Sequence, residues 1–270
     1  MISKTNIYFP KDDTERIYLK SIWKLTEDAH KSRKEIILPK GTVEIIFNYS
    51  NDIRYISPSH KISAYLPVVF INGINFKPFE LVKYGYQEFL GIQLNAPALK
   101  LLFGIPASEF NNTVYEGGII CNDLSVLSQE LYYEKSFAAQ VKKILNWINN
   151  RINNSKFSHS LKRAGKILSV KLLNEFTVKK LCNDISISER QLRRFLTEWF
   201  GMNTENTIRY KKYLTALHRM HRSEQTLTKI GLDSGYYDQP HFIRDFRHYT
   251  QLTPKQYQNA NKGIPGHIFL

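Results

Sequence analysis

The stretch from Ser188 to Gly201, SERQLRRFLTEWFG, predicts a helix with a firm start and two different faces. Its apolar side chains recur at the i, i+3, i+4, i+7 spacing of a buried stripe, namely Leu192, Phe195, Leu196 and Trp199. Ser188 and Gln191 have the spacing of a capping box. A second face carries Arg190, Arg193, Arg194 and Thr197. The stretch is therefore either a solvated basic surface helix or a helix that presents arginines to a polyanion.

The basic charge lies mainly in the second half of the chain. The 270 residues carry a net charge of +14, and their length is typical of about two domains. Residues 1–150 contain 17 Lys and Arg against 15 Asp and Glu, whereas residues 151–270 contain 21 against 9. The back half is thus the part expected to meet a polyanion. Nucleic acid fits better than a membrane surface, because the cations lie on several short helices rather than on one amphipathic stripe.

Cysteine usage and hydropathy bound the cellular context. The two cysteines, Cys121 and Cys182, have no metal-ligand spacing, and both are interpreted as buried thiols in a reducing compartment. No apolar run approaches the ~18 residues of a membrane span, and the N-terminus lacks the apolar core of a secretion signal. We therefore expect a cytoplasmic protein.

Residues 1–117 are predicted to form a β-rich regulatory domain. Short β-branched and aromatic runs alternate with turn residues, which is typical of a small antiparallel barrel or sandwich. The predicted strands include 42–49, 66–72, 80–84 and 89–94, and a short helix is expected over 97–103. The fold class is therefore α+β, with appended helices in the front part and an all-α back part.

Residues 118–158 are predicted to form a helical connector. Apolar stripes indicate helices on both sides of a break near residues 134–136, with Asp123 as the expected N-cap of the first. The asparagine-rich run from Asn149 to Ser155 is interpreted as a linker. The helical pair could pack on the front domain, connect the domains or form a dimer seam, and the first of these is favoured.

Residues 159–262 are predicted to contain two helix-turn-helix units. Thr177 is expected to cap a short helix that ends near Asp184, and a turn of three or four residues then leads to the Ser188 helix. A longer helix follows from Thr204 to about His221. In the second unit, Thr226 or Thr228 caps the first helix, Gly235 terminates it, and Asp238 or Gln239 caps the next.

The back half resembles the DNA-binding domain of the AraC/XylS family of transcription regulators. The resemblance covers about residues 160–260, and its most specific part is the run IGLDSGYYDQPHFIRDFR, residues 230–247, followed by LTP at 252–254 and by Tyr257. The family pattern is I-A-x-x-x-G-F-x-D-x-S-x-F-x-R-x-F-K, then x-S-P-x-x-Y. This chain departs from it at Gly231, Pro240 and Gln251, where Ala, Ser and Gly are usual. Thr204 also replaces the usual proline at the start of the linker helix.

The front half is similar to an uncharacterised domain that precedes this DNA-binding domain in some family members. The similarity rests on GTVEIIFN at 41–48, GIQL at 91–94 and ALKLLFGIP at 98–106. It implies no known ligand. The family resemblance implies double-stranded DNA as the partner, RNA polymerase and a small-molecule effector as further candidate partners, no cofactor, and a monomer or homodimer.

By the same resemblance, two recognition helices would enter successive major-groove segments. In the first helix, Arg190, Arg193 and Arg194 match outward positions. Arg190 and Arg194 are favoured as base readers, with phosphate contacts as the alternative. Gln239, His241 and Arg244 are the base-reading candidates of the second helix. Arg244 could instead pair with Asp238 or Asp245. The full set of expected DNA contacts is Arg190, Arg193, Arg194, Thr197, Gln239, His241, Ile243, Arg244 and Arg247.

Three other functions are weaker on sequence grounds. His218 and His221 lie one helical turn apart, but no third metal ligand accompanies them. A DNA-repair methyltransferase, an enzyme to which related DNA-binding domains are fused, would need a reactive cysteine in a Pro-Cys-His-Arg context, which neither Cys121 nor Cys182 has. A sequence-indifferent architectural DNA binder remains a third interpretation. The chain is therefore expected to be a regulator without enzymatic activity.

Overall fold

The front part of the molecule is built on two antiparallel sheets. The computed structural model describes residues 2–28, 32–50, 52–170, 177–222, 225–260, 264 and 266–270. Each strand has the β-branched and aromatic composition that favours extended backbone. The strands are β1 Ile2–Tyr8, β2 Leu19–Asp28, β3 Arg33–Ile37, β4 Val43–Asn48, β5 Ile53–Ser57, β6 Ile62–Tyr65, β7 Val69–Asn72, β8 Phe79–Lys83, β9 Gln87–Leu94, β10 Val114–Glu116 and β11 His267–Phe269.

The two sheets stay separate, so the fold is not a closed barrel. The larger has the order β1-β2-β9-β4-β7-β10 and the smaller the order β11-β3-β8-β5-β6. Central strands β4 and β9 pair from Val43 opposite Leu94 to Asn48 opposite Phe89. The predicted α+β fold class is confirmed. Of the two predicted alternatives, a barrel or a sandwich, the structure excludes the closed barrel, because the strands form two separate sheets.

Helices of the front part pack against the larger sheet. They are α1 Glu15–Tyr18, α2 Pro97–Phe103, α3 Gly117–Ile120, α4 Asp123–Tyr132 and α5 Phe137–Asn153. Leu99, Leu124 and Ile144 from α2, α4 and α5 share one buried cluster with Ile45 and Ile92 of the sheet. Burying this apolar surface is the main favourable term that holds sheet and helices together.

Two local predictions in this region were wrong. Asp123 is not a cap: Asn122 precedes α4 without a side-chain cap bond, and Asp123 lies in the first turn, where it pairs with Arg151 at 3.4 Å. The asparagine-rich linker is helical as far as Asn153. The stripe of α5 continues through Ile152, which is buried, so the asparagines occupy the solvent face of a helix rather than a break.

The back part is a bundle of short helices with strong caps. They are α6 Leu161–Ser169, α7 Val178–Asp184, α8 Glu189–Phe200, α9 Thr204–Arg222, α10 Leu227–Asp233, α11 Gln239–Thr250 and α12 Pro254–Asn259. Lys211 of α9 donates to the carbonyls of Ile167 and Leu168 at the end of α6, where burial lowers the pKa of its ammonium to about 8. This contact satisfies carbonyls that a helix end leaves without partners.

The linker helix α9 joins the back part to the front part. Tyr210 and Tyr213 lie on its apolar stripe, and both are fully or almost fully buried. The Tyr213 hydroxyl donates to the carbonyl of Pro39 at 2.8 Å. The Tyr210 hydroxyl donates to the carbonyl of Asn75 at 2.9 Å and accepts from the amide of Gly41 at 3.1 Å. The helix between the two units is therefore also held against the front part.

The end of the chain returns to the smaller sheet as β11. This strand pairs with β3, with His267 opposite Ile37 and Phe269 opposite Glu35. His267 Nδ1 donates to the Glu35 carboxylate, which also pairs with Lys83 at 2.5 Å. Lys40 Nζ lies 3.1 Å from His267 Nε2. Nothing in the sequence pattern predicted that the C-terminal tail would complete a sheet of the front part.

The left-handed residue that ends α11 generates a stability prediction. Gln251 has φ of 61° at this position, where α8 has Gly201 with φ of 73°. A residue other than glycine costs roughly 1–2 kcal/mol in the left-handed conformation. Glycine removes this cost, but it also raises the entropy of the unfolded chain, which offsets part of the gain in stability. Gln251→Gly should therefore raise the free energy of unfolding by about 0.5–1 kcal/mol, measured by urea denaturation.

Gly201→Ala is the matched comparison and should lower that free energy. Besides the left-handed backbone, a Cβ at this position would lie 2.6 Å from Asn111 Oδ1. An unchanged or lower denaturation midpoint for Gln251→Gly would show that the glutamine conformation is not strained.

The buried histidine of β11 generates a pH prediction. Burial and the charge of Lys40 lower the pKa of His267 below its ordinary 6.5, so the folded state favours the neutral ring. This contribution to stability is complete above about pH 6.5 and is lost as the pH falls below that value, because the unfolded chain then binds the proton more readily. Between pH 7.5 and 5.5, His267→Gln should lose less free energy of unfolding than the wild-type protein.

The Glu35 carboxylate does not interfere in this window. Burial alone would raise its pKa, but the bond from His267 and the charge of Lys83 outweigh burial and lower the pKa to about 2. Its own contribution is lost only below about pH 4.5. The exposed His159, replaced by glutamine, is the control. Equal pH dependence in all three proteins would contradict the prediction.

Candidate DNA interface

The first helix-turn-helix unit consists of α7 and α8. Thr177 accepts from the amide of Lys180 and caps α7, as predicted. Four residues separate the helices, and among them Ser186 has φ of 56°. The predicted capping box of α8 is complete: Ser188 Oγ accepts from the Gln191 amide at 3.2 Å, and Gln191 Oε1 accepts from the Ser188 amide at 2.8 Å. These caps satisfy three backbone amides and fix where the second helix starts.

The two faces of α8 separate as the periodicity predicts. The apolar stripe is buried, and Phe195 and Trp199 stack with ring centroids 5.2 Å apart. The opposite face is open to solvent, with Arg190, Arg193, Arg194 and Thr197 all exposed. Thr197 Oγ1 donates to the carbonyl of Arg193 at 3.0 Å, so its hydroxyl oxygen stays available as an acceptor. The helix thus presents three guanidinium groups on one accessible face.

The second unit, α10 and α11, has the same construction. Thr226, not Thr228, caps α10, and Asp238, not Gln239, caps α11 by accepting from the His241 amide at 2.8 Å. Gly235 lies in the turn with φ of 86°. Pro240 occupies the first turn of α11, where a missing amide hydrogen has no cost. Phe242 and Phe246 are fully buried beneath the helix.

The outward residues of α11 differ in exposure. Arg244 and Arg247 are exposed, whereas Gln239, His241 and Ile243 are half-buried. Gln239 Oε1 accepts from Thr228 at 3.1 Å, which ties the start of α11 to α10. Within the described residues no carboxylate lies within 4.0 Å of the Arg244 guanidinium, so the alternative ion pair with Asp238 or Asp245 is not formed.

Asp245 is paired instead with Arg209 of the linker helix. Arg209 Nε and Nη2 both approach Oδ1, at 2.8 and 2.7 Å. Hydrogen bonding to Asp245 raises the pKa of the guanidinium further above its ordinary value. No local sequence pattern identified this role of Arg209. The available signal was Asp245 itself, an acidic residue that lies between the buried Phe242 and Phe246 in the sequence of an otherwise basic helix.

Contacts with the front part hold both units. Lys100 of α2 pairs with Glu198 of α8 at 2.9 Å, and Asn111 Nδ2 donates to the carbonyl of Gly201 at 2.7 Å. Lys77 Nζ donates to the carbonyl of His248 in α11 at 2.8 Å. Lys100 interrupts an apolar helix, which was the available signal that it needs a charged partner.

The remaining reactive side chains are ordinary. Cys121 and Cys182 are free thiols and buried, and burial raises the pKa of Cys182, which opposes the thiolate that a methyl acceptor would need. The described residues contain no group of three or more His, Cys, Asp or Glu side chains arranged to hold a metal ion. None of the helices in the described ranges combines the length and apolar character needed to cross a bilayer.

A cavity of about 470 Å³ lies where the front part meets α6. It is lined by Arg16, Lys20, Asn95, Leu168 and three further residues. Lys20 Nζ donates to the carbonyl of Gly41 at 2.8 Å, and burial lowers the pKa of this ammonium to about 8. The cavity thus combines two cationic side chains with an apolar wall.

Comparison with known families identifies both parts of the chain. Residues 181–260 match a family described as a helix-turn-helix domain, and residues 16–116 match a domain of unknown function, DUF6597. The C-terminal part is an AraC-type helix-turn-helix domain. The curated relative RhaR, an HTH-type transcriptional activator from Escherichia coli strain K12, is 28% identical over 94 residues, which are 35% of this chain. The match spans about a third of RhaR, 33% of its length.

Solved structures of ToxT from Vibrio cholerae share the fold over nearly the whole chain. ToxT of strain SCE256, solved with an unsaturated fatty acid bound, has a TM-score of 0.50 at 12% identity and covers 97% of this chain and 96% of its own. ToxT of strain O395 has a TM-score of 0.50 at 13% identity, with 97% and 99% covered. The AraC-type domain and the sheets in front of it therefore share the fold of these structures. The relatives named here are transcription regulators.

Proposed function

We propose that this protein is a sequence-specific transcription regulator that reads double-stranded DNA with α8 and α11. The observation that carries the proposal is the pairing of two capped helix-turn-helix units, each with a solvent-exposed arginine face on its second helix. The net charge of +12 in residues 151–270 supports a polyanionic partner. The AraC-type domain supplies the regulatory context.

The two helices would enter successive major-groove segments, with α9 setting their separation. Arg190 and Arg194 are proposed to read guanine, since a guanidinium can donate two parallel bonds to O6 and N7. Arg193 and Arg247 serve equally well as phosphate contacts, which position a protein without carrying sequence information. Gln239, His241, Ile243 and Arg244 form the second reading surface, and Thr197 extends the first.

The front part is proposed to sense an effector, to dimerise, or both. The cavity beside α6 supports the first role, because Arg16 and Lys20 would suit an anionic group and Leu168 an apolar tail. The fatty acid in ToxT is consistent with a ligand of that chemistry. RhaR is named an activator, so we further propose activation, with RNA polymerase as a candidate partner. No enzymatic step is proposed.

A footprint on genomic fragments tests the proposal. A regulator protects discrete sites, whereas an architectural binder would protect none. Methyl transfer from alkylated DNA to Cys121 or Cys182 would instead support the repair enzyme, and the burial of both thiols opposes it. Absence of any discrete footprint would overturn the proposal.

Arg194→Ala should weaken binding to the footprinted site by about 1–3 kcal/mol, because a base contact is lost. Binding to random DNA of equal length should change much less. Fluorescence anisotropy with both duplexes measures the two affinities. Lys135→Ala removes the same charge between α4 and α5, outside both units, and serves as the control. An equal loss on both duplexes would assign Arg194 to a phosphate.

Affinity for DNA should fall steeply with salt, since each phosphate neutralised releases counterions and contributes about −0.9 to the slope of log K against log salt. Arg193→Ala should reduce that slope by about 1 if it contacts a phosphate, and Lys135→Ala should leave it unchanged. The slope is obtained from affinities between low and moderate salt. Affinity that does not vary over this range would contradict a polyanionic partner.

A further inference from the structure

The carboxylate of Asp245 is buried in the second unit with one oxygen unsatisfied. Asp245 is 2% exposed, whereas Arg244 and Arg247 on either side are open to solvent. Arg209 directs both of its donors to Oδ1. Oδ2 is fully buried and has no hydrogen-bond partner among the described residues. Since an unpaired buried oxygen is costly, its surroundings should contain a donor.

One group near Oδ2 is the imidazole of His241, one helical turn away. Its Nε2 lies 3.7 Å from Oδ2, which is too long for a direct hydrogen bond but closes with a small rotation of the ring. The Tyr236 ring packs edge-on against the imidazole, with centroids 5.3 Å apart and an interplanar angle of 82°. The ring is therefore held between an aromatic wall and a carboxylate.

This contact determines which imidazole nitrogen carries the proton. A carboxylate oxygen can only accept, so Nε2 must present a hydrogen to Oδ2. In the neutral ring Nδ1 is then a bare acceptor. The His241 side chain remains 38% exposed, and with Nε2 turned toward Asp245 the edge that carries Nδ1 is the one left for an outside partner.

We propose that Asp245, anchored by Arg209, fixes the tautomer of His241 so that Nδ1 accepts a hydrogen bond from a base amino group in the major groove. The inference rests on the proposed function of α11 as a reading helix. Adenine N6 and cytosine N4 are the amino donors that bases present in this groove. His241 therefore favours adenine or cytosine at one position, and guanine or thymine, which present O6 or O4 there, are disfavoured.

Arg209 and Asp245 are positioning residues in this scheme, because neither touches a base. Arg209 belongs to the linker helix α9, and its guanidinium also lies 6.0 Å from the Tyr249 ring centroid. The pair thus links the geometry of the linker helix to the chemistry that the second unit presents. If the ion pair were purely structural, it would stabilise the domain without changing its base preference.

The variant Asp245→Asn tests the proposal by reversing the tautomer. The two Arg209 donors should still bind an oxygen, so the amide oxygen of the new side chain would face Arg209 and its NH₂ group would face His241. Nε2 must then accept, the proton moves to Nδ1, and the outward atom becomes a donor. Selection of full-length protein on randomised duplexes should show one position change from adenine or cytosine to guanine or thymine, by about tenfold in relative affinity.

A second measurement does not depend on DNA. Nitrogen-15 NMR of the His241 ring in the free full-length protein should show a proton on Nε2 in the wild type and on Nδ1 in Asp245→Asn. His241→Ala, alone and combined with Asp245→Asn, is the matched control, and it should abolish the preference at the same position in both backgrounds while other positions keep theirs.

The outcomes separate this inference from the proposed function. If no protein selects a motif, the reading function fails, while the NMR result still decides the tautomer. If a motif is selected but Asp245→Asn leaves every position unchanged, the inference is overturned. Should Asp245→Asn fail to fold, the wild-type ring decides, since a proton on Nδ1 would overturn the proposal.

Discussion

The arrangement of this molecule depends on two tyrosine hydroxyl groups of the linker helix. Tyr213 donates to the Pro39 carbonyl, and Tyr210 bridges the Asn75 carbonyl and the Gly41 amide. Burial raises the pKa of both phenols, so they remain protonated donors at neutral pH. Because a buried hydroxyl or carbonyl without a partner is costly, separating the two parts of the chain would expose or orphan groups on both sides.

The front part contacts α8, α9 and α11, and two of these, α8 and α11, carry the proposed DNA contacts. Lys100 and Asn111 hold α8, Lys77 reaches α11, and the tyrosines hold α9 between them. After the last helix, the tail adds β11 to the smaller sheet. The second unit is therefore preceded by α9 and followed by β11, and both of these contact the front part. A rigid frame of this kind suits a reader whose two helices must keep one spacing and one angle.

Local features of the fold were predictable from the sequence, and distant contacts were not. The capping box of Ser188 and Gln191 and the stripe of α8 depend on residues within two turns, so periodicity and capping rules suffice. The asparagines near the end of α5 led to a wrong linker prediction, because composition alone cannot distinguish the solvent-exposed face of a helix from a break between helices. The order of the strands in the two sheets, the return of β11, and the pairs of Lys100 with Glu198 and Arg209 with Asp245 depend on residues far apart in sequence. Nothing in local spacing encodes such pairs, although a charge on an apolar face indicates that a partner exists.

These contacts constrain how an effector could act. A ligand shifts an equilibrium only by binding one arrangement more tightly than another. The cavity beside α6 is lined by Lys20, whose ammonium donates to the Gly41 carbonyl. The backbone amide of Gly41 in turn donates to the Tyr210 hydroxyl. An anion that drew Lys20 away would therefore disturb the peptide groups that anchor the linker helix. Because that helix carries Arg209, the disturbance would pass to α11 through a few adjacent hydrogen bonds rather than through a long path.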